Sequence, residues 1–512
     1  MNDRLNLVFL SMEMIIPEFP EPARGANFRG GLGILAGDIA SGLKQTGIKA
    51  IGIIPLYGRS WVDGREISYE LPPQKISELD LSYVQFERGG TVIYGLVSSV
   101  FNYLYVDDRW QRLQQEITFG KAVPLLLKKL GIKPDIIWLN ESHTALSLPG
   151  LEQDPNLDKA KILFTVHTPD SAGMERFDGQ WFDELGIDRE RYYPVFVNNG
   201  SIDLTRAGMT LADQVNAVSQ EHCKITQDLF PEYASKIIGI RNGSDREAWL
   251  SPKLKKEEGS TSPSQLWIIH KEDKRNLLDL VVNQSGVMLD MQKPLGVWVR
   301  RIVPYKNQYP LFDPIIEAIC SGRDKIIETP FGGLAGLEMQ MFCAGLPGFD
   351  DNYCRAWVSE FMRWMEDSRL QGNFVFLPDY SFELLKKSAA GCDFWLSCPW
   401  PGQEGCGTSD QRAVLNGNPT ITTRTGGAME YIHEFDPETG EGNGFFIEPY
   451  DSITLYRKLK IISDLYYAWL ESGNTLWLKL RMNAFQTGKS LDITTMIGEY
   501  QRKSFELLLK SS

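Results

Sequence analysis

Five short stretches carry residues whose types and spacing could do chemistry. The first is Arg29-Gly30-Gly31-Leu32-Gly33-Ile34-Leu35-Ala36-Gly37-Asp38. Glycines let a backbone approach a ligand closely, and a helix that follows offers unpaired N–H groups at its positive end. Gly30, Gly31 and Gly33 therefore read as a phosphate cradle or as a plain tight turn. The stretch is not G-x-G-x-x-G and has no P-loop lysine, so neither a standard dinucleotide site nor a standard ATPase site is indicated. The second, Asn140-Glu141-Ser142-His143, and the third, His167-Thr168-Pro169, set polar groups directly after apolar runs; two of the chain's five histidines fall there. The fourth, Val299-Arg300-Arg301 through Lys306, offers Arg301 and a lysine five positions on. An arginine fork with a lysine point charge suits a phosphate or diphosphate leaving group; the alternative is a solvated basic rim. The fifth is Glu404-Gly405-Cys406-Gly407-Thr408-Ser409-Asp410-Gln411-Arg412. Here Glu404 can hold sugar hydroxyls while Thr408, Ser409 and local N–H groups meet phosphate. A capped helix start with a solvated glutamate reads equally well.

The elements that must position these groups are legible as alternating short apolar runs and helical stretches. Asn6–Leu10, Lys49–Pro55, Asp135–Leu139, Ile162–Val166 and Val215–Ser219 predict strands, and Ile34–Gly47 predicts a helix. The polar, Gly/Pro/Ser-bearing segment Ser251–Ser264 reads as a linker or exposed loop. The rhythm restarts after it, with strands expected at Pro294–Val299, Phe374–Leu377, Phe394–Ser397 and Thr420–Thr423, and a helical tail over about 452–509. Strand, helix, strand in this order builds a parallel sheet covered on both faces. The expected fold is α/β, two Rossmann-like doubly wound domains over 1–250 and 265–480, facing across a cleft. Ligands of such sheets bind beyond the carboxyl ends of the strands, where the five stretches lie.

Composition narrows the partners. The chain has 512 residues, 53 Lys+Arg against 66 Asp+Glu, and a net charge of −13. An acidic surface repels phosphate backbones and anionic lipid, so nucleic acid and membrane are not expected partners. The seven cysteines form no C-x-x-C pair and none precedes Cys223, which argues against a disulfide framework or zinc knuckle and fits a reduced cytoplasm. No metal-ligand cluster is visible, and no run approaches the roughly 18 apolar residues of a membrane span. Oligomerisation is left open.

Together the motifs resemble the glycosyltransferase-B (GT-B) superfamily branch that holds glycogen/starch synthases and α-glucan phosphorylases. Ser11-Met12-Glu13, the Gly30–Asp38 stretch, Asn140-Glu141-Ser142-His143, Phe164–Pro169 and Arg241-Asn242-Gly243 look phosphorylase-like; Thr423–Gly427 and Gly442–Phe445 look synthase-like. The resemblance implies a retaining glycosyltransferase moving glucose from a nucleotide sugar (ADP- or UDP-glucose) to an α-glucan, with the C-terminal helix, about 480–512, completing the first domain. It implies that Arg301 and Lys306 stabilise the leaving diphosphate, with Arg412 as a further phosphate contact. His167 would sit near the donor sugar's 6-hydroxyl, Glu404 would hold its 3- and 4-hydroxyls, and Tyr380 would stack on the base. Asn140, Glu141, His143 and Asn242 would contact sugar or acceptor. Phosphorylases bind pyridoxal phosphate through a lysine eight residues after the glutamate. That position is Arg412, and a second expected lysine is Leu334, so pyridoxal phosphate is not expected. The alternatives are a phosphorylase-type enzyme and a catalytically silent glucan-binding relative.

Overall fold

The computed structural model describes residues 5–76, 80–168, 174–257, 259, 261–348 and 351–510. The chain divides into two compact units, Met1–Asp245 with Ile493–Ser512, and Arg246–Asp492.

The first unit is built on a nine-stranded sheet. Its order is Ile237–Gly239, Gln214–Ala217, Lys161–Val166, Ile136–Asn140, Asn6–Ser11, Lys49–Pro55, Thr91–Val97, Ser82–Arg88 and Gln74–Lys75. The first seven are parallel; the last two add antiparallel. The apolar runs have a simple cause. Leu7, Phe9 and Trp138 face one core, while Val8, Leu10 and Leu139 face another. A sheet buried on both faces needs an unbroken apolar strand rather than an alternating one. The Gly31–Gln45 helix covers one face with Leu35, Ile39 and Leu43, and the returning tail adds Ile493, Ile497 and Tyr500 to the same core.

The second unit has a six-stranded, all-parallel sheet: Phe374–Leu377, Gln340–Ala344, Leu295–Val299, Phe394–Ser397, Thr420–Thr423 and Gly444–Ile447. The expected α/β architecture is present in both units. The polar segment 251–264 is not a free linker. Pro252–Glu257 is helical with Leu254 buried, and Ser262 caps the Pro263–Ser285 helix in a reciprocal box with Gln265. The Asn352–Glu366 helix buries Cys354, Trp357, Phe361 and Trp364 in the unit's core. That accounts for the tryptophans of a segment the sequence motifs leave unassigned; Asp350 lies outside the described residues. Among the described residues no helix is long and apolar enough to cross a membrane.

Candidate functional site

Each sheet has one point where the strand order reverses direction, and a polar cluster sits at each. In the first unit the reversal lies between Asn6–Ser11 and Ile136–Asn140. Ser11 donates from Oγ to the Glu13 carbonyl at 2.8 Å, so its oxygen accepts from Asn140 Nδ2 at 3.2 Å. The amide oxygen of Asn140 then faces His167 Nε2 at 2.7 Å. That chain makes Nε2 the protonated nitrogen and leaves a lone pair on Nδ1. Burial holds the imidazole at a pKa of about 3, helped by His222 and His143, so the ring is neutral near pH 7. Glu141 ends the strand at a φ of 77°. Its two carboxylate oxygens accept the backbone N–H groups of Ser142 and His167, both at 2.9 Å. Glu141, expected to contact sugar, thus ties the Ser142 and His167 backbones together, one N–H to each carboxylate oxygen.

His143 sits in a second, buried network. Arg112 donates to His143 Nε2 at 3.0 Å and to Glu175 at 2.6 Å, and Arg109 also pairs with Glu175. Burial pushes the Glu175 carboxyl up, but His143 and the two guanidiniums outweigh it and hold it at about 2. Glu116, buried beside Glu175, is pushed well above the carboxylate range. Glu116, His143 and Glu175 each bring one potential metal-ligand atom within 4.8 Å of the others. Spacing in the sequence does not reveal this convergence, and the Arg112 guanidinium already bonds two of the three. Asn242 is buried after the edge strand Ile237–Gly239, its N–H reaching the Val218 carbonyl at 3.4 Å.

The glycine turn differs from an open cradle. Gly30 caps the helix, and a side chain on Gly31 would meet nothing within 4 Å. On Gly33, however, a Cβ would lie 2.6 Å from Glu13 Oε2. That carboxylate accepts the Arg29 N–H at 2.8 Å and the Tyr105 hydroxyl at 2.7 Å. Glu13, given no site role from sequence, therefore places a negative charge at the helix N-terminus.

In the second unit the reversal lies between Leu295–Val299 and Phe394–Ser397. Arg300 directly follows the first of these strands, next to the expected Arg301. Arg300 is buried; it donates to Ser397 Oγ and to Glu404 Oε2, both at 2.7 Å. Lys306 pairs with the same carboxylate oxygen. Arg301 follows at the next position, within electrostatic reach of Cys354 instead. Burial raises the Glu404 carboxyl, but Lys306 and then Arg300 prevail and hold it at about 2. Tyr380 lies near Arg300, and Asp410, pushed up by burial, accepts from Tyr431. The Thr408 and Ser409 hydroxyls are buried without a hydrogen-bond partner among the described residues. Buried hydroxyls are usually completed by a protein group, an ordered water, an ion or a ligand.

Arg412 is buried on the short Ser409–Leu415 helix. Its Nε donates to the Thr408 carbonyl at 3.1 Å and its guanidinium lies 4.5 Å over the Trp249 ring. Leu334 sits in a hairpin of Ile326–Thr329 and Gly332–Ala335, packed on the unit's core. Pro169 lies outside the described residues.

Comparison with known proteins places these features. The family described as starch synthase catalytic domain matches residues 26–236. Glycogen phosphorylase of Aquifex aeolicus is 23% identical, over 80% of this chain and 72% of its own. Glycogen synthase of Thermotoga maritima is 24% identical, over 90% of this chain and 93% of its own. Among solved structures, the catalytic domain of starch synthase IV from Arabidopsis thaliana, bound to ADP and acarbose, superposes with a TM-score of 0.74 at 19% identity, covering 99% of each chain.

Proposed function

Since this chain is a GT-B relative of both the glycogen/starch synthases and the α-glucan phosphorylases, we propose that it is a retaining glycosyltransferase of the synthase kind. The donor is a nucleotide sugar, ADP- or UDP-glucose, and the acceptor an α-glucan or related carbohydrate. The observation that carries this reading is the pair of cations, Arg300 and Lys306, converging on Glu404 at the second unit's switch point. Two cations contact the one Glu404 carboxylate, and Asp410 also acts on Arg300. The developing negative charge of a leaving diphosphate is stabilised by donors already in place. The unpartnered hydroxyls of Thr408 and Ser409 are further donors beside it. Tyr380 is the candidate surface for the base, and Glu404 the acceptor for sugar hydroxyls. In the first unit, neutral His167 offers a lone pair to a sugar hydroxyl and Asn140 fixes its tautomer. With a pKa of about 3, His167 serves as a hydrogen-bonding group rather than a proton donor at neutral pH. Attack and departure on one face of the sugar, with the leaving phosphate taking the acceptor's proton, require no carboxylate nucleophile.

The residues present do not fit pyridoxal phosphate. The position of its lysine is Arg412, whose guanidinium forms no imine and is bound to the Thr408 carbonyl and stacked on Trp249. This weighs against the phosphorylase reading, which the phosphorylase-like motifs of the first unit and the similarity to glycogen phosphorylase of Aquifex aeolicus favour. A donor screen tests the proposal: ADP-glucose, UDP-glucose and glucose 1-phosphate, each with a maltooligosaccharide. Nucleoside diphosphate release with chain extension is expected. Phosphate release from glucose 1-phosphate alone would overturn it, and no turnover with any donor would favour a silent glucan-binding relative.

A further inference from the structure

The loop that carries Glu404 also presents a tryptophan. Trp400 follows the Phe394–Ser397 strand at the second unit's switch point and precedes Glu404 on the same loop. Trp400-Pro401-Gly402-Gln403 is a closed turn: the Gln403 N–H donates to the Trp400 carbonyl at 3.2 Å, and Gly402 has a φ of 79°. Proline second and glycine third are what a type II turn favours. The Trp400 N–H donates to the Tyr305 carbonyl at 2.8 Å, and the Gly402 N–H to Thr425 Oγ1 at 2.9 Å. The turn is thus tied to the stretch that delivers Lys306 and to the one that follows the Thr420–Thr423 strand. The indole is held as well. Tyr450 packs on it with ring centroids 5.0 Å apart, and the Tyr450 hydroxyl donates to the Cys398 carbonyl at 2.7 Å and accepts from Asn307 at 3.0 Å. We infer that Trp400 is a stacking platform for a glucose ring of the α-glucan acceptor; the inference rests on the transferase reading of the Lys306–Glu404 site.

Of the chain's thirteen tryptophans Trp400 is the most exposed, at 45%. Its indole N–H makes no hydrogen bond among the described residues. The first position of such a turn does not require a large apolar ring, so the local fold does not account for the residue. A ring with an apolar face and a free donor at its edge matches a pyranose, which has a C–H face and peripheral hydroxyls. Because backbone and ring are already fixed, little ordering is left to oppose binding. The base of the donor is not the occupant. Tyr380, its candidate surface, follows the Phe374–Leu377 strand, three strands from Phe394–Ser397 in the sheet. At about 4.8 Å per strand the two strand ends lie roughly 14 Å apart, more than one base spans. Glu404, four residues on, is the candidate holder of the transferred sugar, and the acceptor must lie beside that sugar to receive it.

Isothermal titration of the full chain with maltoheptaose tests this, with ADP and UDP titrated separately. Maltoheptaose should bind the wild type, and Trp400→Ala should weaken it about tenfold, the order of one lost aromatic face. Trp400→Phe keeps a ring on the same turn and should stay within about threefold of the wild type. Phe331→Ala removes another exposed ring, at the Ile326–Ala335 hairpin, and should match the wild type. Nucleotide affinity should be unchanged in Trp400→Ala. Circular dichroism confirms that each variant is folded. The inference is overturned if maltoheptaose does not bind the wild type, or if Trp400→Ala binds it equally well. It is also overturned if Trp400→Phe falls as far as Trp400→Ala, or if nucleotide affinity falls as much as glucan affinity. Trp400-dependent glucan binding without nucleotide binding would support the platform and remove the transferase reading. Nucleotide binding with Trp400-independent glucan binding would do the reverse.

Discussion

A carboxylate that two cations share is a charge store, and Glu404 shows how one residue's neighbours decide its chemistry. Alone and this well covered it would be protonated at higher pH; with Lys306 and Arg300 against it, its pKa falls from an ordinary 4.5 to about 2. Between those two values the unfolded chain binds the extra proton, so this contribution to stability is complete above about pH 4.5 and lost as pH falls toward 2. Glu404→Gln should therefore flatten part of the acid limb of a melting-temperature profile while changing little of its slope above pH 5. An unchanged limb would mean that the triad does not hold in solution. The neighbouring arginines are separable in the same manner. Arg300→Ala should lower kcat/KM for the nucleotide sugar by about 10²–10³-fold, the typical cost of removing a preorganised donor. Arg301→Ala should stay within about threefold of wild type. Equal losses would sink the assignment of the site to Arg300.

At the scale of elements, the glycine turn shows why a motif is not yet a site. The Gly31–Gln45 helix starts three residues earlier than the apolar spacing from Ile34 suggests, because its N-terminus packs against Glu13 rather than standing open. The two inner glycines then answer differently to the same change. A Cβ on Gly33 would also come 2.7 Å from the Phe28 Cβ, an atom that cannot swing away. Gly33→Ala should destabilise the first unit by about 1–3 kcal/mol through overpacking. Gly31→Ala meets open space and should be neutral or stabilising by about 0.5–1 kcal/mol, the ordinary gain of alanine over glycine in a helix. Urea denaturation of the two variants checks the contrast, and equal behaviour would contradict the packing described.

At the scale of the whole molecule, the chain leaves the first unit after Asp245 and re-enters it at Ile493. The returning segment is part of that unit's core rather than an appendage. Tyr500 packs against Trp138 with ring centroids 4.3 Å apart and the planes tilted by 44°, and its hydroxyl accepts from Asn216 at 2.6 Å. Both rings are almost fully buried. Tyr500→Ala should cost the first unit about 3–5 kcal/mol, as deletions of buried aromatics do. In a two-unit protein this should move one unfolding transition and leave the other in place. A shift of both by the same amount would show that the units unfold as one.

Much of this molecule was decided by residue order alone. The strands Lys49–Pro55, Phe374–Leu377, Phe394–Ser397 and Thr420–Thr423 were readable to the residue, because short runs of apolar and β-branched residues bounded by turn residues suit a packed strand. The polar groups beyond the strands were readable for the same reason: apolar runs end where the sheet ends. The tertiary structure decided which of those groups meet. Arg300 reaches Glu404, a residue 104 positions on, which no local pattern reveals. Glu13 closes on Gly33, and Glu116, His143 and Glu175 converge from positions far apart in the chain, because the switch in strand order brings distant elements side by side. Local pattern encodes which elements form; only the packed sheet encodes which side chains face each other.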